Sequence, residues 1–314
     1  MSFRTIIRCF LLILALESKK ECTMTKILVA GASGYLGKYI LEELYKWKIP
    51  AVALVNDPEK LENLKNRNIK TVQAEVTRPK TLSGVCKDVE TVISTVGITR
   101  PKDGLSYMDV DYHANLNLLK EAERARVRKF IYVSVIDGDK LHHPKITEAK
   151  ERFVDALKAS GLEYTVIRPN GFFSDLREVL LMAEKRSVVL FGNGELKLNP
   201  IHGADLAEVC VRAIAQKDKE ISVGGPDILT QNEIAEMALC AWNKPADIVH
   251  LPEWIRSLIL TIAKIFLSRQ RFGPPEFFLT LLARESIATR YGTHRLQDFF
   301  NQEVQQIKQQ SNQK

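Results

Sequence analysis

The sequence predicts an α/β protein: a doubly wound parallel sheet followed by a smaller, mostly helical C-terminal domain. Two observations carry this. Short apolar runs alternate with helical patterns through the first half of the chain, and a glycine-spaced turn, Gly31-x-x-Gly34-x-x-Gly37, joins the first run to the first helical pattern. Repeated strand–helix units of this size imply parallel strands buried on both faces, because the crossover helices must cover the sheet on each side.

The elements follow in order. Lys26–Ala30 is a short apolar run and reads as the first strand. Tyr35–Trp47 places Leu36, Ile40, Leu44 and Trp47 at helical spacing. Ala51–Val55 is the second strand, and Asn56-Asp57-Pro58-Glu59 reads as a helix start with Pro58 at the first helical position and Asp57 as its cap. Ile69–Ala74, Thr91–Thr95, Lys129–Val133 and Glu163–Arg168 are four further strand candidates, with a long helical pattern from Ser106 to Arg126. After Arg168 the segments become short and mixed: a helix over Phe172–Lys185, strand-like Val188–Phe191 and Leu196–Ile201, then helices over Ala204–Gln216 and Gln231–Trp242. The division expected is an N-terminal extension over 1–23, a nucleotide-binding domain over 24–170, a C-terminal domain over 171–304 with segments returning to the first core, and a frayed polar tail over 305–314.

Composition narrows the function classes. At 314 residues and 45% hydrophobic, the chain is long enough for a large core and ordinary for a globular protein. The net charge of +7 is mild. Its densest cluster, Arg124, Arg126, Arg128 and Lys129, closes a predicted helix and reads as a solvated end beside that helix's C-terminal dipole, with no nucleic-acid module around it. Five widely spaced cysteines with no C-x-x-C point to a reducing compartment without disulfides or zinc. Cys210 and Cys240 lie in apolar helical patterns and are expected in the core. Residues Met1 to Cys22 carry Arg4, Arg8 and the apolar run Cys9–Leu16, too short to span a bilayer. They resemble a weak signal peptide without a small-x-small cleavage site, and Met24 stands directly before the first strand. The segment is expected to be a disordered or non-native extension, with a membrane tether as the competing reading.

A G-x-x-G-x-x-G match alone is a weak signal. Its placement here, directly after a strand and opening a helix, is stronger. Glycine allows the sharp turn, backbone N–H groups approach a pyrophosphate, and the helix N-terminus supplies partial positive charge. With GASGYLG at Gly31, ISTVG at Ile93, VDYHANLNLLKEA at Val110, FIYVSV at Phe130, TVIRPNGFF at Thr165, IHGADLA at Ile201 and GGPDILTQNEIAEMA at Gly224, the chain resembles the atypical short-chain dehydrogenase/reductases, in particular the NmrA-like NAD(P)-binding Rossmann branch. The last two segments are also similar to those of divinyl-chlorophyllide-reductase-like proteins. The resemblance runs from Lys26 to Trp242.

That resemblance implies a site. It puts the pyrophosphate near Gly31, Ser33, Gly34, Tyr35, Leu36 and Gly37, adenine near Val76, and the nicotinamide ribose near Thr95, Val96 and Gly97. Asn56, at the end of the second strand, stands where an acidic residue would favour NAD and a cation NADP. With Asn56 neutral, the balance leans to NADP over NAD. The family's Ser, Tyr and Lys map onto Ser134, Ile146 and Lys150, so the usual proton-donating tyrosine is missing. Lys150 is left as the leading catalytic candidate, expected to titrate low if buried beside a cationic ring, with ribose gripping as the alternative; Ser134 is the second candidate.

No metal site is expected. His142-His143 lacks a partner motif, His202 reads as the cap of the helix containing Asp205, and His113, His250 and His294 stand in no constellation. Trp254, Leu258, Ile262 and Ile265 form one helical stripe, followed by Phe277, Phe278, Leu281 and Leu282. Both segments are expected to pack on the C-terminal domain, with peripheral membrane contact or a greasy substrate as the alternative. Three functions fit: a cytoplasmic NAD(P)-dependent oxidoreductase of a hydrophobic or cyclic small molecule, an NmrA-like cofactor-binding regulator, or a membrane-associated assembly protein like the nucleotide-binding accessory subunit of respiratory complex I. The sequence does not fix the oligomeric state.

Overall fold

The computed structural model describes residues 26–64, 69–99, 104–140, 145–245, 247–266, 276, 279–280 and 283–312. The N-terminal extension, His142-His143, and Phe277, Phe278, Leu281 and Leu282 lie outside them.

The six strands expected in the first half all form: β1 Ile27–Ala30, β2 Ala51–Val55, β3 Ile69–Gln73, β4 Thr91–Ser94, β5 Lys129–Val133 and β6 Glu163–Pro169. They run parallel in the order β3-β2-β1-β4-β5-β6, and β9 (Glu220–Gly224) and β12 (Thr289–Arg290) extend the sheet beyond β6. Sequence reading missed both added strands. The order reverses between β1 and β4, which makes their carboxyl ends the crevice where open α/β sheets bind ligands.

The unbroken apolar runs are explained by the two faces they serve. Ile27, Val29, Ala53, Ile93 and Ile131 point to one side, against α1 (Tyr35–Lys46) and α5 (Gly203–Arg212). Leu28, Ala30, Leu54, Val92, Phe130 and Tyr132 point to the other, against α2 (Asn115–Arg124) and α3 (Lys145–Ala159). In α1, Ile40, Leu41 and Leu44 are fully buried, each such side chain contributing about 1.5–3 kcal/mol. Trp47 lies past the helix and is half exposed, its indole N–H donating to Glu43.

A third core follows residue 170. It packs Leu180 and Ala183 of α4 (Arg177–Lys185), Val188 of β7 (Val188–Phe191), Ile234, Ala238 and Leu239 of α6 (Gln231–Ala241), and Leu296, Phe300 and Val304 of α8 (Leu296–Asn312). Two strand pairs accompany it: β8 (Lys197–Leu198) with β10 (Leu229–Thr230), and β7 with β11 (Ile248–Leu251). The tail expected to fray from Gln305 continues α8 to Asn312, because Val304 is buried and extends the apolar face of that helix.

Three other expectations change. Cys240 is exposed, whereas Cys210 is fully buried. Of the basic cluster, Arg124, Arg126 and Arg128 are exposed as a solvated helix end, Arg124 beside Glu121 and Arg128 beside Glu90 and Glu163, but Lys129 is buried and donates to the carbonyls of Ala213 and Gln216. The stripe on α7 (Glu253–Phe266) does not pack down. Trp254 is 64% exposed, Leu258 47%, Ile259 42% and Ile262 46%. Among the described residues no helix is long and apolar enough to cross a membrane.

Candidate functional site

The glycine turn sits at the carboxyl end of β1. Gly31 has φ +75°, and a Cβ there would fall 2.6 Å from Thr95 Oγ1, so position 31 excludes other L residues on two counts. Thr95 closes the turn from β4: its N–H donates to Ala30 O at 3.0 Å and its hydroxyl to the same oxygen at 3.1 Å. A Cβ on Gly37 would lie 2.2 Å from Gly31 O, so only glycine lets α1 start this close to the turn. Gly34 is the N-cap of α1, and no side chain caps that helix or places an acid in its first turn. Its leading N–H groups and dipole therefore remain available to an anion. Ser33 is half-buried beside them, Gly34 is exposed and Leu36 is buried in the core.

Tyr35 reaches away from the turn. Its hydroxyl accepts from Gly203 N at 3.2 Å, and its ring meets Tyr39 and Phe172 edge-on. Burial, reinforced by Tyr39, holds the phenol above its ordinary range. The turn is thus tied to the start of α5. There His202 caps α5, its Nδ1 accepting from Ala204 N at 3.2 Å. That bond needs an unprotonated ring nitrogen, and burial, aided by His294, lowers the His202 pKa to about 4. His294 stacks on His202 at 4.2 Å and bonds Asp205 Oδ1 at 2.8 Å. Sequence reading gave His294 no partner, because Asp205 lies far away in the chain. A recess of about 380 Å3 beyond these histidines is lined by His294, Arg295, Asp298 and Phe299 among others. No residue of the glycine turn lines it, so it is not where a ligand of that turn would lie.

Across the crevice, Gly97 follows β4. A Cβ on it would meet Asp111 Oδ1 at 2.7 Å and Lys150 Nζ at 2.9 Å. Lys150 is therefore brought to the backbone that follows β4. Its Nζ pairs with Asp111 Oδ1 at 2.9 Å and lies 5.6 Å from the Tyr132 ring centroid. Burial alone would lower this amine, as the sequence led us to expect. Tyr132 and Asp111 overcome it and hold the ammonium above its ordinary range. In the chain by itself Tyr132 and the buried Asp111 carboxylate, both invisible to spacing arguments, outweigh burial.

Ile146, in the place of the family tyrosine, is buried with Tyr107 and Ala149, and Ile98, Met108 and Tyr112 pack against them. Ser134 belongs to a different network. Its hydroxyl donates to Glu151 Oε1 at 2.9 Å, and Glu151 receives both Arg168 Nη1 at 2.7 Å and Nη2 at 2.9 Å. Lys150 and Glu151 are chain neighbours serving separate partners. Asn56 is exposed and its carbonyl accepts from Gln73 Nε2 at 3.1 Å. Asp57 accepts from Glu59 N at 3.1 Å and pairs with Lys60 at 3.7 Å, so its carboxylate serves the local turn. Val76 packs at the edge of the second core and its carbonyl accepts from Asn117 Nδ2 at 3.1 Å. Val96 is buried, and its carbonyl accepts from Asn115 Nδ2 at 3.1 Å. Among the described residues no group of three or more His, Cys, Asp or Glu side chains could hold a metal ion.

The residues present fit a dinucleotide. Two glycine positions that a Cβ would fill, an uncapped helix start without acids, and the Lys150 ammonium, reaching from α3 to Gly97 after β4, suit a pyrophosphate and a ribose.

Comparison with known proteins points to a nicotinamide-nucleotide-binding family. Residues 31–217 match a family described as NAD(P)H-binding. The photosystem II assembly factor Ycf39 of Guillardia theta is 26% identical over 241 residues, covering 76% of this chain and 73% of that protein. The chloroplastic divinyl chlorophyllide a 8-vinyl-reductase of Zea mays is 27% identical over 269 residues, covering 77% of this chain and 66% of that one. Among solved structures, the NADPH-dependent quinone oxidoreductase QOR2 of Escherichia coli, complexed with NADPH, superimposes with a TM-score of 0.66 at 20% identity, covering 88% of this chain and 99% of that one.

Proposed function

The chain belongs to the NAD(P)H-binding family, and on that premise we propose that it is an NADP(H)-dependent oxidoreductase acting on a hydrophobic or cyclic small molecule. The observation that carries this reading is Lys150 Nζ held beside Gly97, at the carboxyl end of the strand next to the glycine turn. A charged lysine at that end can grip a ribose and also lend positive charge to a reacting group beside it. The substrate class is supported by the names of two similar proteins, a chlorophyllide reductase and a quinone oxidoreductase.

In this reading the nicotinamide cofactor supplies a hydride when bound. The chain's own residues bind and orient. The α1 N–H groups and the Gly31–Gly37 backbone would receive the pyrophosphate, Val76 would border adenine, and Thr95-Val96-Gly97 would border the nicotinamide ribose. Lys150 would donate N–H bonds to ribose hydroxyls and place positive charge near the reacting carbonyl or alkene. The measurement is oxidation of bound NADPH in single turnover against a panel of quinones, enones and tetrapyrroles. Turnover with a member of the panel supports the reading; NADPH binding without oxidation by any of them favours a regulator.

The preference for NADP is tested at Asn56. Asn56→Arg is expected to tighten NADPH relative to NADH by about 1–3 kcal/mol through a charge-assisted phosphate contact. Calorimetry with both cofactors checks it, and an unchanged ratio would show that position 56 does not face the ribose 2′ substituent.

A second reading, an accessory role at a membrane, is favoured by the exposed face of α7. Trp254, Leu258, Ile259 and Ile262 are all more than two-fifths exposed on one helix. Burying such side chains at a lipid surface contributes about 1 kcal/mol or more each. Co-sedimentation with phosphatidylglycerol vesicles is expected for the wild type and to fall at least roughly tenfold for Trp254→Glu/Leu258→Glu, since that pair removes about 2 kcal/mol or more. Absence of wild-type binding would remove this reading.

A further inference from the structure

Beside Lys150 lies a buried cluster that the proposed reading leaves without a task. Asp111 is fully buried, and the Lys150 side chain is 14% exposed. Asp111 Oδ2 also accepts from Ile98 N at 3.3 Å. The carboxylate is delivered by a π-turn over Met108–Ala114, a widened turn of the kind that re-aims side chains. Asn115 locks that turn to β4: it donates to the carbonyls of Asp111 at 2.9 Å, Val96 at 3.1 Å and Val110 at 3.3 Å, and accepts from Ser94 Oγ at 2.6 Å.

We propose that Asp111 is a positioning residue that holds Lys150 as a permanent cation against Gly97, so that the lysine grips the cofactor and does not exchange protons with substrate. The inference rests on the proposed function only for the identity of the ligand.

The argument is one of burial and compensation. An amine enclosed as Lys150 is would shed its proton if it stood alone, because burial penalises the charged form. Here Tyr132 and the Asp111 carboxylate 2.9 Å away reverse that outcome. Burial pushes Asp111 up, while Lys150 and the Ile98 N–H pull it back down. The other titratable groups facing the pair are Tyr107, at the start of the π-turn, and Glu151, the next residue on α3, whose charge reaches Tyr132. Neither can replace Asp111. The Tyr107 hydroxyl is given to Thr99 O at 3.0 Å, and Glu151 is held by Arg168 and Ser134. Burial holds the Tyr132 phenol protonated, so it brings no charge of its own, and removing the Asp111 charge turns a fixed clamp into a titrating one.

NADPH is titrated calorimetrically into wild type, Asp111→Asn and Asp111→Glu at several values between about pH 7 and about pH 9, where an ordinary lysine keeps its proton. Wild-type affinity is expected to stay flat. Asp111→Asn is expected to lose roughly tenfold or more across that window, one pKa unit of the amine being worth about that factor. Asp111→Glu is expected to restore the flat profile. A purely structural role would lower the melting temperature without making affinity depend on pH. A folded Asp111→Asn protein with wild-type affinity at every pH overturns the proposal. Should that variant not fold, the 15N resonance of Lys150 Nζ in wild type, assigned with Lys150→Arg, decides: an ammonium signal retained to about pH 10 supports the clamp, and a midpoint below about pH 8 overturns it. Failure of wild type to bind any nicotinamide cofactor would count against the proposed function, while the resonance would still answer for the ion pair.

Discussion

Gly34→Asp is expected to abolish NADPH binding while leaving the protein folded. Gly34 is the N-cap of α1 with φ −73° and ψ 172°, extended backbone that any residue adopts. Aspartate is among the best residues for that role, so the helix itself should gain. A Cβ there would lie 3.1 Å from Gly31 O, which a shift of a few tenths of an ångström relieves. The new carboxylate would bond the free N–H groups of the first turn and cancel the local positive potential. Both are what a pyrophosphate would use. Losing two hydrogen bonds to a charged group costs about 3 kcal/mol or more, at least roughly a hundredfold in Kd, before charge repulsion is added. Calorimetry and thermal melting on the same sample separate the outcomes. Lost binding with an unchanged or higher melting temperature is expected; binding retained within a few-fold would move the anion away from this helix.

The second large effect is on stability. Arg168 is 4% exposed at the end of β6, and its guanidinium is held by Glu151 on one side and Glu220 on the other. Burial lowers the guanidinium, and the two carboxylates more than restore it. Glu151→Ala would remove the bidentate partner, leave a buried charge half-compensated, and strip Ser134 of its acceptor. Breaking a buried pair from one side costs about 3–5 kcal/mol. Glu220 remains, so the lower end, about 3 kcal/mol, is expected in urea unfolding. Glu151→Gln, which keeps an acceptor for Ser134 and for one guanidinium N–H, should lose less. A loss below about 1 kcal/mol in the alanine variant would mean that water replaces the carboxylate at little cost.

What was legible in the sequence was what local chemistry determines. The strands β1 to β6 lie within a residue of their expected bounds; β1, β2, β4 and β5 are buried on both faces and need near-continuous apolar side chains, whereas the edge strand β3 is largely exposed and carries only Ile69 and Val72 as apolar residues. The glycine turn was legible because close approaches at Gly31 and Gly37 forbid a side chain at fixed spacing, with Gly34 at the helix start between them. β9 escaped notice because Glu220 opens it and the polar run Lys217-Asp-Lys precedes it, so its membership of the sheet rests on pairing with β6 alone. Asp111 escaped because a carboxylate in a helical pattern reads as solvated. Its burial depends on Lys150, on another helix, and on a π-turn with no spacing signature. The same gap hid the partners that hold Lys150 charged in the chain by itself. The α7 stripe was recognised as amphipathic, but periodicity says only that one face is apolar, and here that face meets solvent.

The central claim is that the turn between β1 and α1 holds a nicotinamide dinucleotide. Its most direct test is calorimetric titration of the folded wild-type protein with NADPH, NADP+, NADH and NAD+ in turn. Saturable one-to-one binding of at least one of them, with the phosphorylated pair tighter, is the result the account predicts. No heat of binding from any of the four, on protein shown to be folded by its thermal transition, would contradict it.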